Sequence, residues 1–174
     1  MTPDLLPAVS DFSRLVLWML ILWSAAQLGA ALYEARVVIP LWSVDPAPET
    51  LGKKIADSGH TASATRIWPY LSPVVFLLAI VNLVVAWRHD GPARPWWLAA
   101  SAGYLAMSLA TYGYFVPTMI SLMNRAHAYT PEKLSRTVAT WSRLSNLRLL
   151  IAVPACLAAV KALTLLGGRT GWRL

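Results

Sequence analysis

The chain has 174 residues, of which 57% are hydrophobic and 13% charged, and it carries a formal net charge of +7. A soluble domain holds about 25% charged residues, so this composition, with a mean hydropathy of +0.52, excludes a water-soluble globule and reads as an integral membrane protein. The basic residues lie between apolar stretches rather than in a run or stripe. That distribution argues against nucleic acid and for helix ends facing anionic lipid.

A short acidic lead precedes the first apolar run, which is too long for the apolar core of a cleavable signal. The run is therefore read as a retained first span. Residues 15–33 carry no charge, and the helical pattern is expected to continue through Glu34 and Arg36 to Pro40. The stretch is apolar all round, so it is not an amphipathic surface helix. Gly29, Ala30 and Ala31 form a small patch that suits close approach of another helix.

Residues 43–66 change character, with Pro, Ser, Gly, Thr and charges dominating. This is the longest loop, extramembrane by composition, with room for a short interfacial helix after Pro48. Residues 67–87 are uncharged and form the second span. Pro69 and Pro73 stand near its start, where proline is best tolerated, and Asn82 is its one strongly polar interior residue. A short basic turn leads to the third span, uncharged from 95 to 124. At about 1.5 Å per residue this span exceeds a hydrocarbon core of about 30 Å, and Pro117 is the expected kink.

Thr130 is a good N-cap, followed by Pro131 at the first helical position. It opens a fourth helix, amphipathic over 131–148 and apolar over 149–166 except for Lys161. Pro154 is expected to kink it, and Gly167-Gly168 to end it before a basic tail. The predicted fold is all-α: a single membrane domain over 1–174, built as a four-helix up-and-down bundle with a long, kinked third and fourth helix. The spans are expected at about 12–42, 67–88, 95–124 and 131–167. Both termini then share one side. The count of Lys and Arg near span ends weakly favours the side opposite the termini, whereas the short RHDGPAR turn favours a cytoplasmic placement of the termini in a bacterial cytoplasmic membrane, the placement expected here.

Several polar residues stand out against this scaffold. Ionisable groups at membrane depth face a bundle interior or a cavity, which singles out Glu34. Gln27 lies seven residues before Glu34 and shares its face. Tyr114, Ser121 and Asn124 share a face of span three, and Tyr104, Ser108 and Thr111 form a second polar stripe. Trp141, Ser145 and Arg148 share a face of helix four, with Asn146 nearby. Arg148 either snorkels or turns inward as a counter-ion. His127 is a lone histidine among polar neighbours. A metal would need it to meet Glu34, or His60 from the first loop, and no metal or other cofactor is expected. The chain holds one cysteine, Cys156, so it forms no internal disulfide. Phosphate-loop, nucleophile-elbow, H-E-x-x-H and C-x-x-C motifs do not occur.

The runs YFVPTMISLMN at the end of span three and TWSRLSNLRLLIAVPACLAAVKAL across helix four resemble the anthrone oxygenase-like family of four-helix membrane proteins. Phe115, Pro117, Asn124, Trp141, Asn146 and Arg148 carry the resemblance. It implies oxidation of anthrones to anthraquinones without a metal or organic cofactor. On that reading Glu34 or His127 is the base, and Arg148, Asn124 and Asn146 stabilise the oxyanion. Gln27, Tyr114 and Trp141 would contact a flat aromatic substrate. The expected partners are membrane lipid and an apolar aromatic small molecule, and self-association into an oligomer stays open. The alternative is a non-enzymatic membrane protein, a complex subunit or a lipid or quinone binder, whose polar cluster is structural. A transporter fits less well, because the spans lack a continuous polar face.

Overall fold

The structure, a computed structural model, describes residues 5–167, with side chains from residue 11 onward. The tail from 169 to 174 lies outside the described residues, as does Gly168. Helix α1 runs from Leu5–Tyr33 through a π turn, Glu34–Val38, into Ile39–Ser43. Two short helices follow, α2 at Leu51–Asp57 and α3 at His60–Arg66, and fill the stretch read as a loop. Helix α4 is Trp68–Arg88. Helix α5 runs Arg94–Ala110, a π turn Thr111–Phe115 and Val116–Arg125, and closes in a 3-10 turn, Ala126–Ala128. Helix α6 is Pro131–Gly167.

Four of these helices are long and apolar enough to cross a membrane: Asp11–Ser43, Trp68–Arg88, Arg94–Ala128 and Pro131–Gly167. They form a ring. Helix α1 packs on α4, α4 on the first part of α5, α5 on α6, and α6 back on α1. Outward-facing positions are apolar, among them Leu22, Leu77, Leu109, Leu150 and Leu157. An exterior so continuously apolar suits hydrocarbon, because soluble monomers rarely expose apolar patches beyond a few hundred Å².

Two apolar cores stack along the bundle. The first joins Leu17, Leu20, Val75, Ala79, Trp97, Tyr104 and the alanines of α6. There Gly103 stands against Ala155: a Cβ on Gly103 would lie 3.2 Å from the Cβ of Ala155. The close approach is at this pair and not at Gly29, where a Cβ would meet nothing within 4 Å. Asn82 is fully buried in the same core. It donates to the carbonyls of Val16 and Leu78 at 2.9 and 2.8 Å and accepts from the Trp97 indole at 2.8 Å. One amide thus ties α1, α4 and α5 together.

The second core joins Val38, Ile39 and Trp42 of α1 to Leu51 and Ile55 of α2, Phe115, Met119 and Leu122 of α5, and Leu134, Val138 and Trp141 of α6. Helix α2 seats closely here, since a Cβ on Gly52 would lie 3.1 Å from the Met123 carbonyl. Gly59, with φ +79°, makes the turn from α2 to α3. Thr130 caps α6, its hydroxyl accepting from the Lys133 amide at 3.3 Å.

Both π turns stand two residues before a proline, Pro40 in α1 and Pro117 in α5. A proline ring in a helix clashes with the carbonyl four residues back. In each case the preceding amide reaches five residues back instead, Ile39 to Glu34 and Val116 to Thr111. The wider turn relieves the clash and re-aims the side chains it contains.

Candidate functional site

Beside the second core lies a cavity of about 520 Å³, which shares Phe115, Met119 and Trp141 with it. The π turn of α1 supplies Glu34, and that of α5 supplies Thr111, Tyr112 and Phe115. Helix α3 brings His60, the start of α4 brings Trp68, and α6 brings Trp141 and Arg148. The rest of the wall is mainly apolar, including Pro69, Val116, Met119, Ile120 and Met123.

Glu34 is buried, at 8% exposure. Its Oε1 accepts from the Trp68 indole at 2.8 Å and from the Ser63 hydroxyl. Oε2 is left as the oxygen available to an occupant. Such preorganised donors let a carboxylate sit at a membrane rim where an unpaired one would be expelled. Arg148 donates through Nη1 to the Thr111 hydroxyl at 3.2 Å. Its guanidinium carbon lies 3.7 Å from the centroid of the Phe115 ring. A desolvated cation over an aromatic face gains about 2 kcal/mol. Phe115 is itself positioned by Trp141, whose indole donates to the Phe115 carbonyl at 3.2 Å.

Glu34 and Arg148 face the same cavity without closing into an ion pair. Among the described residues the ion pair that forms is Asp90–Arg94, at the surface and 4.0 Å apart. The opposite charges are therefore available to a third party. A hydroxyl between them can donate to the carboxylate and accept from the guanidinium. A carbonyl or phenolate oxygen can accept from Arg148.

His60 is 3% exposed, enclosed by Trp42 and Trp141 with ring centroids 5.4 and 5.7 Å away. Its Nδ1 accepts from the Trp42 indole at 3.3 Å. That bond assigns the proton of the neutral ring to Nε2. Burial pushes the His60 pKa down, and the nearby Glu34 carboxylate opposes that shift. The ring is a neutral part of the wall near neutral pH.

Of the residues singled out from sequence, Gln27, Glu34, His60, Thr111, Phe115, Trp141 and Arg148 line the cavity. Tyr114 is half-buried and stacks edge-on against Phe115 at 5.3 Å, outside the lining. Asn124 and His127 are exposed at the end of α5. Asn146 is exposed on α6 and bonds its own helix at the Ser142 carbonyl, 3.1 Å away. One turn of helix decides this. Ser145 and Arg148 face inward, and Asn146, between them in sequence, faces out.

Two further residues, Ser63 and Trp68, bond Glu34. Trp68 reads from sequence as an interfacial aromatic, and the available signal was its indole donor at the same membrane level as Glu34. Ser63 carries no such signal, because a loop position leaves its height and direction open. The described residues contain no cluster of three or more His, Cys, Asp or Glu placed to hold a metal ion.

Comparison of the chain with protein-family models, with curated proteins and with solved structures finds no match.

Proposed function

We propose that this chain is a multi-pass membrane enzyme that oxygenates a flat, phenolic, polyketide-like molecule without a cofactor, as its resemblance to the anthrone oxygenase-like family implies. Its spans run up-down-up-down with the third and fourth helices kinked, and its termini face the cytoplasm. The observation that carries the reading is the cavity of about 520 Å³ with unpaired Glu34 and Arg148 on an otherwise mostly apolar wall. A drug-sized ligand fits pockets of about 300–1,000 Å³. Extensive packing of α4 on α5 stops with Ala110. Beyond it Tyr112, Val116 and Ile120 both line the cavity and lie exposed on the bundle surface. The slot supports entry of an apolar molecule directly from the bilayer.

The chemistry assigns each residue a task. Glu34 removes a proton from the activated methylene of the substrate. The carbanion is delocalised onto a phenolate oxygen, which Arg148 stabilises. Dioxygen adds to the carbanion to give a peroxide anion, and the proton returns to it. Loss of water from the hydroperoxide leaves a carbonyl, so that CH2 and O2 become C=O and H2O. Trp141 and Phe115 hold the flat rings, and His60 helps close the loop side. Asn124, His127 and Asn146 have no task in this scheme, because they stand outside the cavity.

The test is turnover of an anthrone under air by the purified full chain in detergent, followed by quinone absorbance. Glu34→Gln and Arg148→Ala are each expected to lower turnover by about 10²–10³, the usual loss on removing one preorganised group. Wild-type turnover no faster than that of Arg148→Ala would sink the proposal. A second reading has support in the lateral slot: a binder of lipid or quinone using the same cavity. It predicts quenching of Trp68 and Trp141 fluorescence by a quinone, with no turnover of the anthrone.

A further inference from the structure

The large cavity shares a wall with a second, inner chamber of about 50 Å³. Five residues face both spaces: Gln27, Glu34, Trp68, Thr111 and Arg148. Every one of them carries a hydrogen-bonding group. On the far side the chamber is completed by Ser24, Tyr104 and Ser145 and by apolar side chains of α1, α5 and α6.

Three buried polar atoms on residues lining this chamber have no hydrogen-bond partner in the protein: Gln27 Oε1, Ser145 Oγ and Arg148 Nε. Buried polar groups are almost always satisfied, and at membrane depth no bulk solvent stands by to satisfy them. Their chemistry defines the occupant. It must donate to Gln27 Oε1, accept from Arg148 Nε, and do either with Ser145. An apolar gas or a lipid tail can do none of these. The Glu34 carboxylate on the same wall disfavours an anion, and the Arg148 guanidinium disfavours a cation. A small neutral molecule that both donates and accepts remains. A water molecule needs about 10–15 Å³ of such volume and two to four polar partners, so the chamber of about 50 Å³ has room for about three to five.

We propose that the inner chamber is a binding site for a cluster of water molecules, held by Gln27 Oε1, Ser145 Oγ and Arg148 Nε behind the Glu34–Arg148 wall. The cluster completes the donor set of Arg148. Nη1 is held by Thr111, the flat face by Phe115, and Nε by water, so the guanidinium has one orientation. The cluster also gives Glu34 a hydrogen-bonding neighbour. Arg148 therefore needs no direct contact with Glu34 to remain charged and aimed. This site stands whether or not the large cavity supports oxygenation.

The test uses the full chain in lipid nanodiscs. A structure at a resolution that reveals water is expected to show density within hydrogen-bonding distance of all three atoms. A dry chamber, or Gln27 bonded directly to Arg148, overturns the proposal. Infrared spectra on exchange into isotopically labelled water give a second readout. A shifted O–H stretch from confined water is expected in the wild type and is lost in Ser145→Leu, whose side chain fills the chamber. An identical spectrum in both overturns it. Ser145→Ala covers the case in which the larger side chain does not fold. A water-bonded hydroxyl makes the substitution lower Tm by a few degrees, whereas an unpaired one leaves Tm unchanged or raises it and refutes the site. None of these readouts depends on substrate turnover.

Discussion

Glu34 and Arg148 carry opposite charges into one cavity, and the surrounding donors keep them apart. Direct pairing would cancel the field that an occupant can use. Trp68 and Ser63 satisfy the carboxylate, while Thr111 and Phe115 satisfy the guanidinium. His60 adds a pH dependence. Its folded pKa lies below the usual value near 6.5, because burial disfavours the charged ring more than Glu34 favours it. The stability contributed by keeping His60 neutral is thus fully present above about pH 6.5. It is lost as pH falls, because the unfolded chain takes up the proton first. Tm in detergent is expected to fall between pH 7 and pH 5, with a shallower slope in His60→Gln. An unchanged slope would show that other groups set it. Asn82 makes a second residue-scale prediction. A hydrogen bond between membrane helices averages about 0.6 kcal/mol, but an orphaned buried donor costs about 1–3 kcal/mol. Asn82→Leu strands the Trp97 indole, so the larger figure applies. Thermal denaturation should show that loss, and adding Trp97→Phe should recover part of it.

At the scale of elements, the two π turns organise the site. Each precedes a proline, and each re-aims a cluster of side chains toward the cavity, Glu34 from α1 and Thr111 and Phe115 from α5. π turns recur at functional sites for this reason. Prolines at 40 and 117 are plain in the sequence, and a kink at Pro117 is the natural expectation. The widened turn is not legible, because it depends on how neighbouring helices compensate the missing amide. Close packing of α5 on α6 is a separate element-scale feature. Gly103 meets Ala155, and the facing side of α6 is lined by Ala152, Ala158, Ala159 and Ala162. Gly103→Leu must push the helices apart, and overpacking of this kind costs about 1–3 kcal/mol. The expected result is a lower Tm in detergent. Gly29→Leu, in open space on the bundle surface, is expected to leave Tm unchanged.

At the scale of the molecule, four apolar helices close a ring at one end and part at the other. Helix α4 packs less extensively on α5 beyond Ala110, where Phe76 still meets Tyr112 edge-on at 5.8 Å, and α3 covers the cavity through His60, Ala64 and Thr65. The cavity reaches the bundle surface at Tyr112, Val116 and Ile120. Ile120 lines the cavity and is exposed on the bundle surface, so Ile120→Trp lays a larger ring across the slot. Stopped-flow quenching by a membrane-soluble quinone is expected to show association slowed several-fold, with Tm unchanged. Association at the wild-type rate would place the entrance elsewhere.

The membrane class and the number of candidate spans follow from the sequence alone. Hydrophobic length and the near absence of charge leave a chain little choice between lipid and water. The inward direction of Glu34 was legible for the same reason, since a carboxylate at that depth has to find partners. Its partners were not. Ser63 lies 29 residues away in sequence and Trp68 lies 34 away, and no periodicity links a loop serine to a span. Asn124, His127 and Asn146 look as reactive in the sequence as Arg148 does. Only the tertiary packing separates them, because a helix exposes or buries a residue according to the rotation its neighbours impose. The same holds for the bend where span three hands over to helix four. Its polar residues announce a rim, but the chemistry collects one to two turns deeper, where two proline-adjacent turns and a buried loop histidine enclose a space.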